Sequence, residues 1–326
     1  MAATAFTANG GVQTVANTVN TVSLQPDLIW LKNRGAVANH FLFNTVVGVS
    51  AYLNSDSTSS EGTNVNFVTG ANSTGFSLGT SNYTNGSTVI GWQWNAGGTT
   101  VTNGVGTISS QVRANTTAGF SVVTYTGTGA NATVGHGLGV VPGMVIIKSR
   151  SIRNWIVYHS SLTSAAYYLS LNQTIAQSLV TTIFNSTAPT NAVFNIGTDA
   201  SVNALAETYV AYCWAPVAGY SAFGSYTGNG SADGPFIYTG FRPRWLMIKR
   251  TDATLSWGIF DTSRNAFNVV DLQLYANLSV ADNVFTTMDI LSNGFKSRSA
   301  TEYNTSGGTY IYAAFAENPL KYANAR

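Results

Sequence analysis

Short apolar runs, rich in β-branched and aromatic residues and fenced by Gly, Asn, Ser and Thr, follow one another along almost the whole chain. That is the pattern of strands between turns, and no stretch longer than about ten residues holds a helical period. The clearest alternation comes two, four and six residues after a threonine: Ile90, Trp92 and Trp94 after Thr88; Val210, Tyr212 and Trp214 after Thr208; Ile311, Ala313 and Phe315 after Thr309. The positions between them are mixed: Val89, Gly91 and Gln93; Tyr209, Ala211 and Cys213; Tyr310, Tyr312 and Ala314. A period of two with one uniform face predicts a strand lying on a core, and each of the three is expected to bury that face in an interior of its own.

These closing strands are the last of three signatures that recur in the same order. The first is a proline followed six residues later by a lysine: Pro26 to Lys32, Pro142 to Lys148 and Pro243 to Lys249, each with an arginine close behind, at Arg34, Arg150 and Arg250. Met144-Val145-Ile146-Ile147 and Leu246-Met247-Ile248 within it are apolar on both faces, which predicts a central strand or one whose second face is covered. The second opens on a ring and closes on a polar pair: His40 to Thr45, Trp155 to Ser160 and Trp257 to Thr262. The prolines are 142 − 26 = 116 and 243 − 142 = 101 residues apart, a domain-sized period rather than a solenoid rung of about 20–50 residues. The expected fold is all-β, with three tandem antiparallel β-sandwich domains of jelly-roll or lectin-like type at residues 3–97, 118–217 and 218–320. Residues 98–117, rich in Gly, Thr, Ser and Asn, are expected to be a linker.

Composition narrows the function classes. Of 326 residues 15 are Lys or Arg and 13 are Asp or Glu, a net charge of +2 that gives no reason to expect a nucleic-acid partner. Charged residues are 9% against roughly 25% in an average globular protein, so polarity rests on amides and hydroxyls, few salt bridges are expected, and stability should respond little to ionic strength. One cysteine, Cys213, excludes an internal disulfide and a multi-cysteine zinc site. Neither a secretory signal nor a run of 18 apolar residues is seen, so synthesis in the cytoplasm without membrane insertion is expected.

Candidate chemistry is sparse. His40, His136 and His159 have no zinc-site spacing, and His136 lies in a glycine-flanked turn. Gly127-Thr128-Gly129 and Gly228-Asn229-Gly230 look like pieces of phosphate loops, but no helical pattern follows them. Asp261 and Asp271 are the nearest thing to a catalytic acid pair, and at the place of Asp261 the other copies hold Asn44 and His159. No enzymatic activity and no cofactor are expected. The best candidates for binding are the repeated basic residues Lys32, Arg34, Lys148, Arg150, Lys249 and Arg250, six of the fifteen positive charges; a structural role at the strand ends is the alternative. Trp92, Tyr125 and Tyr226 could stack on sugars or pack in the interior.

Tyr226-Thr227-Gly228-Asn229-Gly230-Ser231-Ala232-Asp233-Gly234-Pro235, Thr239-Gly240-Phe241-Arg242-Pro243 and Tyr312-Ala313-Ala314-Phe315-Ala316-Glu317-Asn318-Pro319 resemble a tandem-repeat family of marine bacteriophages whose members are labelled tail-fibre or virion proteins. Phe120 to Gly127 and Trp30 to Arg34 share the resemblance, which assigns no role to any residue. It implies a virion component, either a tail-fibre, tail-tip or baseplate part for host recognition or a capsid or tail decoration. The implied partners are other virion proteins, a host surface glycan or protein, and further copies in a homo-oligomer such as a trimer.

Overall fold

The computed structural model describes residues 1–17, 19 and 23–318; Pro319 and the expected boundary at residue 320 lie outside them. Among the described residues the chain is all-β and antiparallel, with two single-turn helices, Thr181–Phe184 and Ala200–Asn203. Five strands recur in one spatial order, opening, closing, proline, aromatic and fourth. In the first unit they are Ala2–Thr7, Thr88–Trp94, Leu28–Asn33, Phe41–Asn44 and Gly48–Leu53. In the second they are Phe120–Thr126, Thr208–Trp214, Met144–Ser149, Trp155–His159 and Tyr167–Ser170. In the third they are Ser221–Thr227, Thr309–Ala316, Pro243–Arg250, Gly258–Asp261 and Val270–Tyr275. The proline strand sits between the closing and aromatic strands each time, and its buried side chains divide between two interiors, Trp30 facing one and Leu31 the other.

A second layer covers one face of each main sheet and makes the sandwich. Gln13–Ala16, Gly75–Leu78 and Val68–Asn72 supply it in the first unit, Ala132–Gly135 and Val193–Ile196 in the second, and Phe236–Tyr238, Gly294–Ser297 and Asn283–Leu291 in the third. The inward pairs correspond from unit to unit: Val15 opposite Phe76, Val134 opposite Phe194, Ile237 opposite Phe295. Each pair belongs to an interior private to its unit.

The structure corrects the face assignment made from the sequence. The mixed face of each closing strand lines the private interior, through Val89, Tyr209, Ala211, Cys213, Tyr310, Tyr312 and Ala314. The uniform face points the other way, and all nine of its side chains join one interior common to the three units, with Trp30, Met144, Ile146, Trp155, Trp245, Met247 and Trp257. Trp94 is its hub, with ring centroids 5.9 Å from Trp214, 5.4 Å from Trp245 and 5.6 Å from Phe315. Burial does not separate the two faces: Gln93 on the mixed face has no exposed surface and is satisfied by Asn17 and Thr4, and Gly91 is small because a Cβ there would meet Leu31 and Phe76 at 3.1 and 3.4 Å.

The segment expected to be a linker is folded. Val101–Asn103 and Ser110–Asn115 form a hairpin on the edge of the second unit's sheet, beside Phe120–Thr126. Arg113 on that hairpin reaches Asp27 of the first unit at 2.7 Å.

Trp94→Ala should destabilise the chain by about 3–5 kcal/mol, the cost of emptying a large buried aromatic site, as read by chemical denaturation. Residues 118–217 expressed alone should fail to give a monodisperse folded species, because Val210, Tyr212 and Trp214 would face water; a well-dispersed amide NMR spectrum from that fragment would refute this.

Candidate functional site

The six basic residues proposed for binding lie where the units meet. Lys32, Lys148 and Lys249 have no exposed surface. The Lys32 ammonium donates to the carbonyls of Ala38 and Ser279 at 2.8 and 2.9 Å, Lys148 to Ser149 and Ser151 at 2.6 and 2.7 Å, and Lys249 to Arg250 and Thr174 at 2.6 and 3.2 Å. Ser279 belongs to the third unit and Thr174 to the second, so two of the three lysines tie neighbouring units together. Burial pushes Lys32 and Lys148 down to about 8, and burial followed by the charge of Arg250 pushes Lys249 to about 7. With their heads held by carbonyls away from solvent, the lysines do not present a cationic surface.

The arginines are paired as well. Arg34 meets Asp282 of the third unit at 2.8 Å, and Arg150 grips Glu61 of the first in a bidentate pair at 2.7 and 2.6 Å. Arg250 pairs within its own unit, with Asp252. Around these side chains the backbone repeats one docking motif. The amides of Glu61, Gln177 and Asp282 donate to the carbonyls of Arg150, Thr251 and Arg34, and those of Arg153, Leu255 and Ala38 donate back to Thr58, Thr174 and Ser279. Every one of these bonds crosses between units, first with second, second with third, third with first. The three units therefore close a ring.

Nearer the shared interior the rings that open the aromatic strands make a second circle. Trp155 of the second unit donates its indole N–H to the carbonyl of Asn54 in the first at 2.8 Å, and Trp257 of the third donates to Ser170 in the second at 2.9 Å. His40, at the same place in the first unit, makes no such bond: its buried Nε2 has no hydrogen-bond partner. The residues closing the same signature run the other way. Asn44 donates to the Tyr212 hydroxyl at 3.3 Å, His159 Nε2 meets the Tyr312 carbonyl at 3.1 Å, and Asp261 accepts from the Trp92 indole at 3.1 Å. Asp261 is also held by buried Arg264 at 2.6 Å, and Arg264 continues to Asp282 at 2.9 Å and lies over the Trp92 ring. Asp261 and Asp271 do not meet as an acid pair: Asp271 accepts instead from Asn265.

The three histidines share one chemistry at Nδ1. The Nδ1 atoms accept from the Trp30 indole, the Leu138 amide and the Ser161 amide for His40, His136 and His159. Nε2 of His136 and His159 faces the Thr190 and Tyr312 carbonyls, which fixes the neutral tautomer with its proton on Nε2. Burial lowers all three pKa values, that of His159 to about 4. The two Gly-x-Gly segments are turns tied down by buried asparagines, with Thr128 N donating to Asn203 and Asn229 N to Asn304. A Cβ at Gly127 or Gly228 would come within 2.2 or 2.3 Å of a carbonyl oxygen, so packing explains the glycine.

Trp92 and Tyr125 are buried, and Tyr226 stacks on Tyr310 with its hydroxyl bonded to the Tyr303 carbonyl; none of the three is placed to stack on a sugar. Burial pushes the Cys213 thiol up to about 12. Among the described residues no group of three or more His, Cys, Asp or Glu side chains is placed to hold a metal ion, and no helix is long and apolar enough to cross a membrane. A concavity of about 620 Å³ opens where the units meet, lined by Met1, Leu24, Val140, Val217 and Tyr220 together with the amides of Asn95 and Asn115. Few charges did not mean few ion pairs, since most of the acidic residues are paired and several pairs are largely buried.

Two features of this ring escaped the sequence reading. Asp56, Asn172 and Asn277 each accept the backbone N–H of the residue that opens the aromatic strand, His40, Trp155 and Trp257, at 3.1, 2.9 and 2.9 Å; an Asp or Asn three residues after a leucine was the available signal. Arg264, present in one copy only, gave no repeat to notice.

The chain belongs to a family described as a domain of unknown function (DUF7483), whose pattern matches residues 1–319. No curated protein matches it. The family pattern runs through all three units as one piece, in keeping with units that share an interior.

Two outcomes follow from these contacts. The folded state keeps its histidines neutral while the unfolded chain protonates near the ordinary 6.5, so the histidine contribution to stability is complete above that pH and falls as pH drops towards about 4. His159→Gln, which does not titrate, should flatten that dependence in thermal melts taken between these limits. Arg264→Ala should cost about 3–5 kcal/mol, because it leaves the buried Asp261 carboxylate uncompensated, and denaturant titration reads it directly.

Proposed function

We propose that this chain is a structural protein of a bacteriophage virion, a tail-fibre, tail-tip or baseplate component that meets the host surface, without catalytic activity or a cofactor. The observation that carries this reading is the use made of the chemistry-bearing side chains. Histidines, lysines and carboxylates that could have formed a reactive centre are buried and engaged in holding three sheets together, as suits a rigid body. The resemblance of its repeated stretches to phage virion proteins supports the setting, and a surface of hydroxyls and amides with few charges suits contact with a carbohydrate-coated host.

A second reading, a decoration on the capsid or tail with no receptor, has one observation in its favour: contacts running cyclically through three similar units would suit a site related by threefold symmetry. Immunogold labelling or cryo-electron microscopy of the particle separates the readings. Density at the tail extremity favours host recognition, regular occupancy of the shell favours decoration, and absence from the particle defeats both.

The trimer expected between chains has a counterpart inside this one, since each unit already meets the other two. That arrangement favours a monomer of 34.4 kDa in free solution. Sedimentation at micromolar concentration should find it; a species of three times that mass would restore the trimer.

A further inference from the structure

Three copies of one strand arrangement allow the demands of the fold to be subtracted from what a single copy adds. In the second layer the inward pair is constant in kind, Val15 with Phe76, Val134 with Phe194 and Ile237 with Phe295. The residues flanking the first member of each pair face outward, because neighbours along a strand point to opposite sides of the sheet. They are Thr14 and Ala16 in the first unit and Thr133 and Gly135 in the second. In the third they are Phe236 and Tyr238, 47% and 62% exposed. In the second unit Asn103 covers that side, within 2.7 Å of a Cβ at Gly135, but the first unit folds with Thr14 and Ala16 exposed at both places, so the rings are not there for the fold.

The rings are built into a surface. Lys296 lies directly across from Phe236, and Asp289 directly across from Lys296, so ring, ammonium and carboxylate form one row over three strands on the same face. Gly294 lies across from Tyr238, and the Phe236 ring leans over it: a Cβ there would meet Phe236 Cε2 at 2.9 Å. The charges beside the rings are already paired, Lys296 with Asp233 and Asp289 with Arg298. They offer hydrogen-bond donors and acceptors without a net field to draw a polyanion.

We propose that this outer face of the third unit, centred on Phe236 and Tyr238, binds a neutral glycan. The apolar faces of its pyranose rings would lie on the two aromatic rings, and its hydroxyls would bond to Asp289 and Lys296. Flat, amphipathic rings bury area at low conformational cost, and paired charges suit an uncharged polyol better than an ionic ligand. The inference rests on the host-surface reading only for where such a glycan would be found.

The test compares the full chain with the double variant Phe236→Thr and Tyr238→Ala, which installs the first two units' kinds of residue at these positions and should leave the melting temperature unchanged. A glycan array with the wild-type chain, followed by calorimetric titration of the best neutral oligosaccharide, should show binding that the double variant weakens at least tenfold. Unchanged affinity in the variant would overturn this site and leave host recognition standing. Absence of neutral-glycan binding by the wild type would overturn the ligand assignment, whatever the protein's position on the particle. A wild-type dimer that the variant dissolves in sedimentation would make the face a contact between copies and overturn the proposal too.

Discussion

Three sheet faces, each too apolar to meet water, cover one another, and the rest of the molecule follows from that mutual burial. Trp94, Trp214, Trp245 and Phe315 come from all three units and touch edge to face, an arrangement favoured by the quadrupoles of the rings. No unit can bury its closing strand alone. The private interiors shape each sandwich, while the common interior joins the three into one body.

Apolar contact is not directional, and around this core the direction comes from polar groups at its margin. Indole N–H groups point one way around the ring, from Trp155 to the first unit and from Trp257 to the second. Asn44, His159 and Asp261 reach the other way. Each is buried and would be costly to leave unsatisfied, so a rotated or slipped packing of the sheets loses several bonds at once. One feature peculiar to the third unit, the exposed rings of Phe236 and Tyr238, lies on the outside.

The strands, their order of recurrence and the all-β class were legible because period-two alternation and the proline-to-lysine runs are local features. The destination of each face was not. Ile90, Trp92 and Trp94 announce a buried face, but alternation says nothing about whether the covering surface belongs to the same unit or another, and the more polar set around Gly91 and Gln93 proved to be the private side. The basic residues were found and their surroundings were not: Lys32 is satisfied by Ser279, 247 residues away, a contact no spacing reveals. Phe236 and Tyr238 went unnoticed because they break the repeat, and the search for likeness passed over them.

Differential scanning calorimetry of the whole chain tests the shared interior most directly. One transition, with a calorimetric enthalpy equal to the van't Hoff enthalpy, is the predicted result, since three sheets that complete one another's burial must separate together. Two or three resolvable transitions, each surviving the loss of the others, would mean that every unit keeps a sufficient interior of its own, and would contradict the account.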